Sequence, residues 1–120
     1  MNILFLLKSL EIGGVEVVTA VLANEFIKHG HNVFVFSFLE GKNSVSNRFD
    51  DNIKIYTGND YSKSTANVNN LREILKNNNV DIVINQWGLP LVPIKTLKKA
   101  SKGLDIKIIS EHKWYLRGEI

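Results

Sequence analysis

Residues Ile3-Leu4-Phe5-Leu6-Leu7 are apolar without interruption. The run is too short for a helix and apolar on both faces, which is how a strand buried on both sides within a parallel sheet reads. A loop carrying Gly13-Gly14 follows, and then a periodic segment that stops at Gly30. Strand, glycine turn and helix in this order form the opening unit of a nucleotide-binding α/β domain, with bare backbone N–H groups at a helix N-terminus. The turn therefore reads as one wall of a ligand site.

The first helix is predicted from Gly14 or Val15 to His29. Its apolar positions Val15, Val18, Val21, Leu22, Phe26 and Ile27 recur at three- and four-residue steps, and Gly30 supplies a left-handed residue to end it. Val15, Val17, Val18 and Thr19 are β-branched and poor intrinsic helix formers, so packing against a sheet must hold this helix. Val33 to Phe38 reads as a second parallel strand, and Ile53 to Tyr56 as a short edge strand. Polar stretches over 40–52 and 57–67 read as surface loops, the second as the least ordered stretch. A short amphipathic helix is expected over 68–77, a buried strand over Asp81–Asn85, and a helix from about Leu91 to Lys102. Pro93 lies near the first turn of that helix, where proline is tolerated. Ile106 to Ser110 is the fifth strand.

This order, βαββαβαβ, with right-handed crossovers, predicts a Rossmann-like three-layer α/β sandwich. Its parallel five-stranded sheet has strand order 3-2-1-4-5. Ligands bind such sheets at the carboxyl ends of the strands, where the order reverses between strands 1 and 4. Three loops converge there: Lys8–Gly14, Asn85–Pro90 and Glu111–Tyr115.

At 120 residues the chain is one domain, able to bury roughly two-thirds of its unfolded surface. It has no cysteine, which removes disulfides and thiolate metal sites and fits a reducing cytoplasm; three scattered histidines form no metal cluster. The amino terminus lacks a basic leader, and Lys8 breaks its apolar run, so it does not read as a signal peptide. No segment approaches the ~18–20 apolar residues of a membrane span. The net charge of +3 suits an anionic ligand or an acidic membrane surface, but no basic stripe interleaved with aromatics argues for nucleic acid.

A dinucleotide fingerprint needs three spaced glycines and an acid about 20 residues further on. Here Gly13 and Gly14 are adjacent and strand 2 ends in Phe38-Leu39 before Glu40, which disfavours a nicotinamide dehydrogenase. No Gly-Lys-Ser/Thr follows, excluding a P-loop, and Lys8-Ser9 stands where a receiver domain carries acids. A plain tight turn is the other reading of Gly13-Gly14. His112, beside Glu111 and Lys113 past strand 5, can hydrogen-bond a sugar hydroxyl or a developing charge, or else is a solvent-exposed loop histidine. His29 and His31 flank a helix end and complement its dipole. Asn85, Gln86 and Trp87 suit carbohydrate, through amide hydrogen bonds and indole stacking, though Trp87 could equally cover the core rim. Trp114 and Tyr115 read as packing against whatever follows.

The apolar first strand, Gly13-Gly14-Val15-Glu16, the Gly30-His31-Asn32-Val33 helix exit and Val80-Asp81-Ile82-Val83-Ile84 together resemble the N-terminal half of a GT-B fold glycosyltransferase. The likeness is to the family-4 (group 1) retaining enzymes and covers nearly the whole chain. It implies a nucleotide-sugar donor, a glycan or lipid-linked acceptor, transfer of a hexosyl group, and neither metal nor cofactor. It implies that Gly13 and Gly14, with Val15 and Glu16, approach the donor diphosphate or sugar across a cleft. His112, beside Glu111, would match the catalytic-site histidine after strand 5 that contacts the transferred sugar. Asn85, Gln86 and Trp87 would lie on the acceptor side.

The paired glutamates and the donor-holding half of that family have no counterpart in these residues. The chain is therefore expected to be the N-terminal piece of a two-domain enzyme, weakly binding and inactive alone. Such an enzyme would be cytoplasmic, with room for peripheral association at the inner membrane face and for a homodimer. Two rival readings are a non-catalytic interaction module docking through Trp114-Tyr115 and a stand-alone mononucleotide-binding domain.

Overall fold

The computed structural model describes residues 1–41, 44–58, 60–88 and 90–110. Five strands, β1 (Asn2–Ser9), β2 (Asn32–Leu39), β3 (Lys54–Thr57), β4 (Ile82–Asn85) and β5 (Lys107–Ser110), form one sheet in the order β3-β2-β1-β4-β5. Every neighbouring pair is parallel. Helix α1 (Gly14–Lys28) covers one face, and α2 (Thr65–Asn77) and α3 (Leu91–Ala100) cover the other. This is the predicted Rossmann-like sandwich with the predicted strand order.

The unbroken apolar run of β1 has its explanation in the two cores. Ile3, Phe5 and Leu7 point toward α1, where they meet Ala20, Ala23, Val33 and Val35. Leu4 and Leu6 point the other way and meet Phe36, Leu71, Leu75 and Leu97. Because side chains alternate along a strand, a central strand with a helix layer on each side needs apolar residues at every position.

The sheet-facing stripe of α1 differs from the one its valines suggested. Thr19, Ala20 and Ala23 are the buried residues, whereas Val18 is 56% and Val21 61% exposed. Small side chains at 19, 20 and 23 let the helix axis approach the sheet. Val15, Leu22, Phe26 and Ile27 flank the contact rather than form its centre.

The 40–52 segment is more than a surface loop. Val45 and Phe49 are buried in the α1-side core around a single 3₁₀ turn, Ser46–Arg48. The Asn24 amide of α1 clamps that turn, donating to the Arg48 carbonyl at 2.9 Å and accepting from the Asp50 N–H at 2.8 Å.

The stretch expected to be least ordered is also held. Helix α2 starts at Thr65 with Ser64 as its N-cap, whose Oγ accepts from the Asn67 N–H at 3.3 Å. Asn67, 2% exposed, donates its amide to the Ser62 carbonyl at 2.8 Å and to Asp60 Oδ1 at 3.1 Å. Asp60 also accepts from the Ser62 hydroxyl at 2.6 Å and its N–H at 2.9 Å. The Ser62 hydroxyl, then the Ser62 N–H, lead in holding the Asp60 carboxyl below its ordinary value of 3.8, with Asn67 adding to them. Asn67→Ala is expected to cost about 1 kcal/mol, because it removes the buried amide that ties Asp60 and Ser62 to the start of α2, while those exposed acceptors can turn to water. The loss should appear in chemical denaturation as a lower midpoint at unchanged slope.

Candidate functional site

The strand register aligns the carboxyl ends of three central strands. Leu6 of β1 pairs with Asn85 of β4, and Asn85 with Ser110 of β5. The order reverses between β1 and β4, so a crevice must open where their following loops diverge. One does: a cavity of about 200 Å³ lined by Leu7, Lys8, Val15, Glu16, Gln86 and Trp87. Larger grooves exist, including one of about 410 Å³ lined by Asp81 and Asp105 at the amino edge. Topology selects the smaller one, since it alone among these sits at the switch point.

The wall built by α1 is bare backbone. The first intrahelical bond runs from the Val17 N–H to the Gly13 carbonyl at 3.1 Å, and no side chain caps the helix. The N–H groups of Gly14, Val15 and Glu16 therefore lack intrahelical acceptors, and they carry the positive end of the helix dipole. The glycines are not there for backbone strain. Gly13 is extended (φ −174°, ψ 179°), a conformation any residue adopts, and neither glycine has a positive φ. A Cβ on Gly14 would meet nothing within 4 Å, and one on Gly13 would meet only the Glu16 side chain and, at 4.0 Å, the Glu11 carbonyl. Glu16 Oε1 would lie 2.7 Å from that Cβ, so the Glu16 carboxylate leans over the helix end and complements its dipole.

The opposite wall comes from the loop after β4, and its three polar candidates do different work. Asn85 is fully buried, and its amide is used by the loop and by the end of β5. Its Oδ1 accepts from the N–H groups of Trp87 and Gly88 at 3.1 and 3.0 Å. Its Nδ2 donates to the Gly88 carbonyl at 3.0 Å and to Ser110 Oγ at 3.2 Å. Asn85 thus positions the loop, and Gly88, at φ 94°, makes the turn possible.

Gln86, 2% exposed, reaches across to α1 and donates from Nε2 to Thr19 Oγ1 at 3.0 Å. Thr19 commits its own proton to the Val15 carbonyl at 2.7 Å, which fixes the orientation of the Gln86 amide. Gln86 Oε1 then has no hydrogen-bond partner among the described residues. A buried, unpaired carbonyl is costly, and such groups concentrate at sites kept for function.

Trp87 covers the core rim, one of its two expected roles, and it also borders the crevice. Its ring packs edge-on against Phe38 at 5.0 Å in the α2/α3-side core while still lining the crevice. Tyr61 adds a third ring, 6.2 Å from Trp87, and Lys8 Nζ sits 5.0 Å over the Tyr61 ring. Lys8 and Tyr61 are the site residues that reading the sequence missed as individual candidates. The signal for Lys8 was a charge at the end of an otherwise apolar strand. Tyr61 gave none, since it comes from a polar loop remote in sequence.

The crevice brings together Val15, Glu16, Gln86 and Trp87, with Gly13 and Gly14 at the start of the helix that forms its wall. Asn85 stands behind the loop. His112, Glu111, Trp114 and Tyr115 lie outside the described residues. Among the described residues no group of histidines or carboxylates could hold a metal, and no helix is long and apolar enough to cross a membrane.

Such a site can bind an anion on backbone N–H groups, place a hydroxylated ring against Trp87 and Tyr61, and offer Lys8 as a cation. A family model described as Glycosyltransferase Family 4 matches residues 12–117. A solved structure titled "lipopolysaccharide outer core galactosyltransferase WaaB apo form" superposes with a TM-score of 0.71 at 23% identity. The match covers 90% of this chain but 32% of that one, so the chain spans about a third of that structure's length. At that identity the likeness shows the fold. No curated protein matches the sequence.

Proposed function

The chain belongs to Glycosyltransferase Family 4, and from that premise we propose that it is the acceptor-side domain of a nucleotide-sugar-dependent retaining glycosyltransferase. The enzyme would transfer a hexosyl group to a glycan or lipid-linked acceptor. A second domain outside these 120 residues would hold most of the donor nucleotide. The observation that carries this reading is the bare start of α1 opening beside the switch-point crevice, at glycines the backbone itself does not require.

In the transfer, the bond between the sugar's anomeric carbon and the donor phosphate breaks, and an acceptor hydroxyl forms the new glycosidic bond on the same face as its proton passes to the departing phosphate. Negative charge grows on the departing nucleoside diphosphate. N–H groups fixed at a helix start stabilise such charge without reorganising, so they act more strongly on the transition state than on the ground state. The Glu16 carboxylate occupies the same region and must swing aside when a diphosphate arrives. Trp87 and Tyr61 would face the acceptor, and Lys8 suits a phosphate on it. By the family resemblance, His112, which follows β5 in the sequence, would contact the transferred sugar. A lipid-linked acceptor would bring the enzyme to the inner face of a membrane.

The test is transfer of labelled sugar by a two-domain protein carrying this chain, across uridine and guanosine diphosphate sugars. His112→Ala is expected to lower kcat by about 100-fold, the range of a positioned proton-transfer or hydrogen-bonding group. Unchanged turnover would remove His112 from the mechanism.

A further inference from the structure

The unpaired oxygen of Gln86 belongs to a chain of hydrogen bonds that runs behind the crevice wall. Gln86 Nε2 donates to Thr19 Oγ1 at 3.0 Å, and the Thr19 hydroxyl donates to the Val15 carbonyl at 2.7 Å. That carbonyl belongs to the same peptide group as the Glu16 N–H, one of the three free N–H groups at the start of α1. Gln86 and Thr19 are both buried. The chain therefore starts in the loop after β4 and ends on the peptide joining Val15 to Glu16, two residues that line the crevice.

Fastening the loop to α1 does not require these groups. Two apolar side chains of the same shape would join the elements at similar stability and would strand no polar atom. Here the amide turns its donor to Thr19 and leaves Oε1 without a partner among the described residues. The direction of the chain is set from the helix. The Val15 carbonyl takes the backbone bond of the first turn on one lone pair and the Thr19 hydroxyl on the other. With its single proton committed there, Thr19 Oγ1 can only accept from Gln86.

We propose that Thr19 and Gln86 are positioning residues for transfer, which strengthen the Glu16 N–H as a donor to the departing diphosphate. Each hydrogen bond in a chain polarises the next, and a peptide whose oxygen accepts an additional bond has a more strongly donating N–H. The benefit grows with the negative charge the N–H meets, so it is larger in the transition state than in the ground state. The same two bonds hold the first turn of α1 in register with the loop that carries Trp87. This role rests on the proposed seat of the donor diphosphate at the start of α1.

The two-domain enzyme tests it through Thr19→Val, which keeps the shape and removes the hydroxyl, and Thr19→Ser, which keeps the hydroxyl and removes a buried methyl group. Thr19→Val is expected to lower kcat about tenfold while the donor KM moves by less than about twofold, as for an interaction made in the transition state. Thr19→Ser should keep most of the turnover although it melts lower than the parent. Gln86→Met added to Thr19→Val should lower kcat no further, because both changes break one chain. All assays are run well below the melting temperature of each variant. Parental kcat in Thr19→Val, an equal loss in Thr19→Ser, or losses that add in the double variant overturns the proposal. Gly14→Val, whose side chain stands before the same N–H groups, separates this role from the donor seat itself. A slow Gly14→Val beside a parental Thr19→Val ends the positioning role alone, and a parental Gly14→Val ends both.

Discussion

Gly14→Val should leave the domain as stable as the parent and abolish most sugar transfer in the two-domain enzyme. A side chain at this position meets nothing within 4 Å, and the backbone there is ordinary first-turn helix. Replacing glycine in a helix by a residue with a side chain is neutral or stabilising by up to about 1 kcal/mol. The melting temperature should therefore stay the same or rise by a few degrees. The added methyl groups would stand in front of the N–H groups of the first turn, where the donor diphosphate is proposed to sit. Losing contacts of that kind costs about 100-fold or more in kcat/KM, or roughly 3 kcal/mol of transition-state stabilisation. Gly14→Ala should show the same separation to a lesser degree. A folded Gly14→Val enzyme with parental turnover would leave the turn with no ligand and the proposed function without its main support.

Asn85→Leu is expected to be the most damaging single polar substitution at this edge of the sheet. The leucine keeps the branching and the number of heavy atoms but removes both halves of the amide. The Trp87 and Gly88 N–H groups, the Gly88 carbonyl and the Ser110 hydroxyl each lose a partner. Several of these lie in buried surroundings, where an unsatisfied group costs about 1–3 kcal/mol. Some will find water as the loop opens, so a net loss of about 3 kcal/mol is expected. In urea this lowers the midpoint by roughly 1.5 M for a domain of this size. Turnover should fall as well, because Trp87 loses the backbone bond that sets its position. A small stability change would mean that the Asn85 amide is not what holds the loop, and would return it to the set of direct ligand contacts.

The contrast between these two positions shows what local sequence can carry. The double-sided apolar run of β1, the short edge strand β3 and the glycine stop at Gly30 each record a requirement satisfied within a few residues. Burial alternates along a strand, and a left-handed residue ends a helix. Five parallel strands in the order β3-β2-β1-β4-β5 follow from those pieces and right-handed crossovers. With them comes the edge where a ligand should bind.

Tertiary contact decided the rest. It chose Thr19, Ala20 and Ala23 over Val18 and Val21 as the buried face of α1, because the space between helix and sheet rewards small side chains more than apolar ones. It drew Val45 and Phe49 from a polar segment into the core, and laid Tyr61 between Lys8 and Trp87. It also divided two adjacent amides, closing Asn85 into its own loop and leaving one oxygen of Gln86 unpaired beside Thr19. Amide chemistry is the same at both positions; what differs is which groups the folded chain brings within about 3 Å of them.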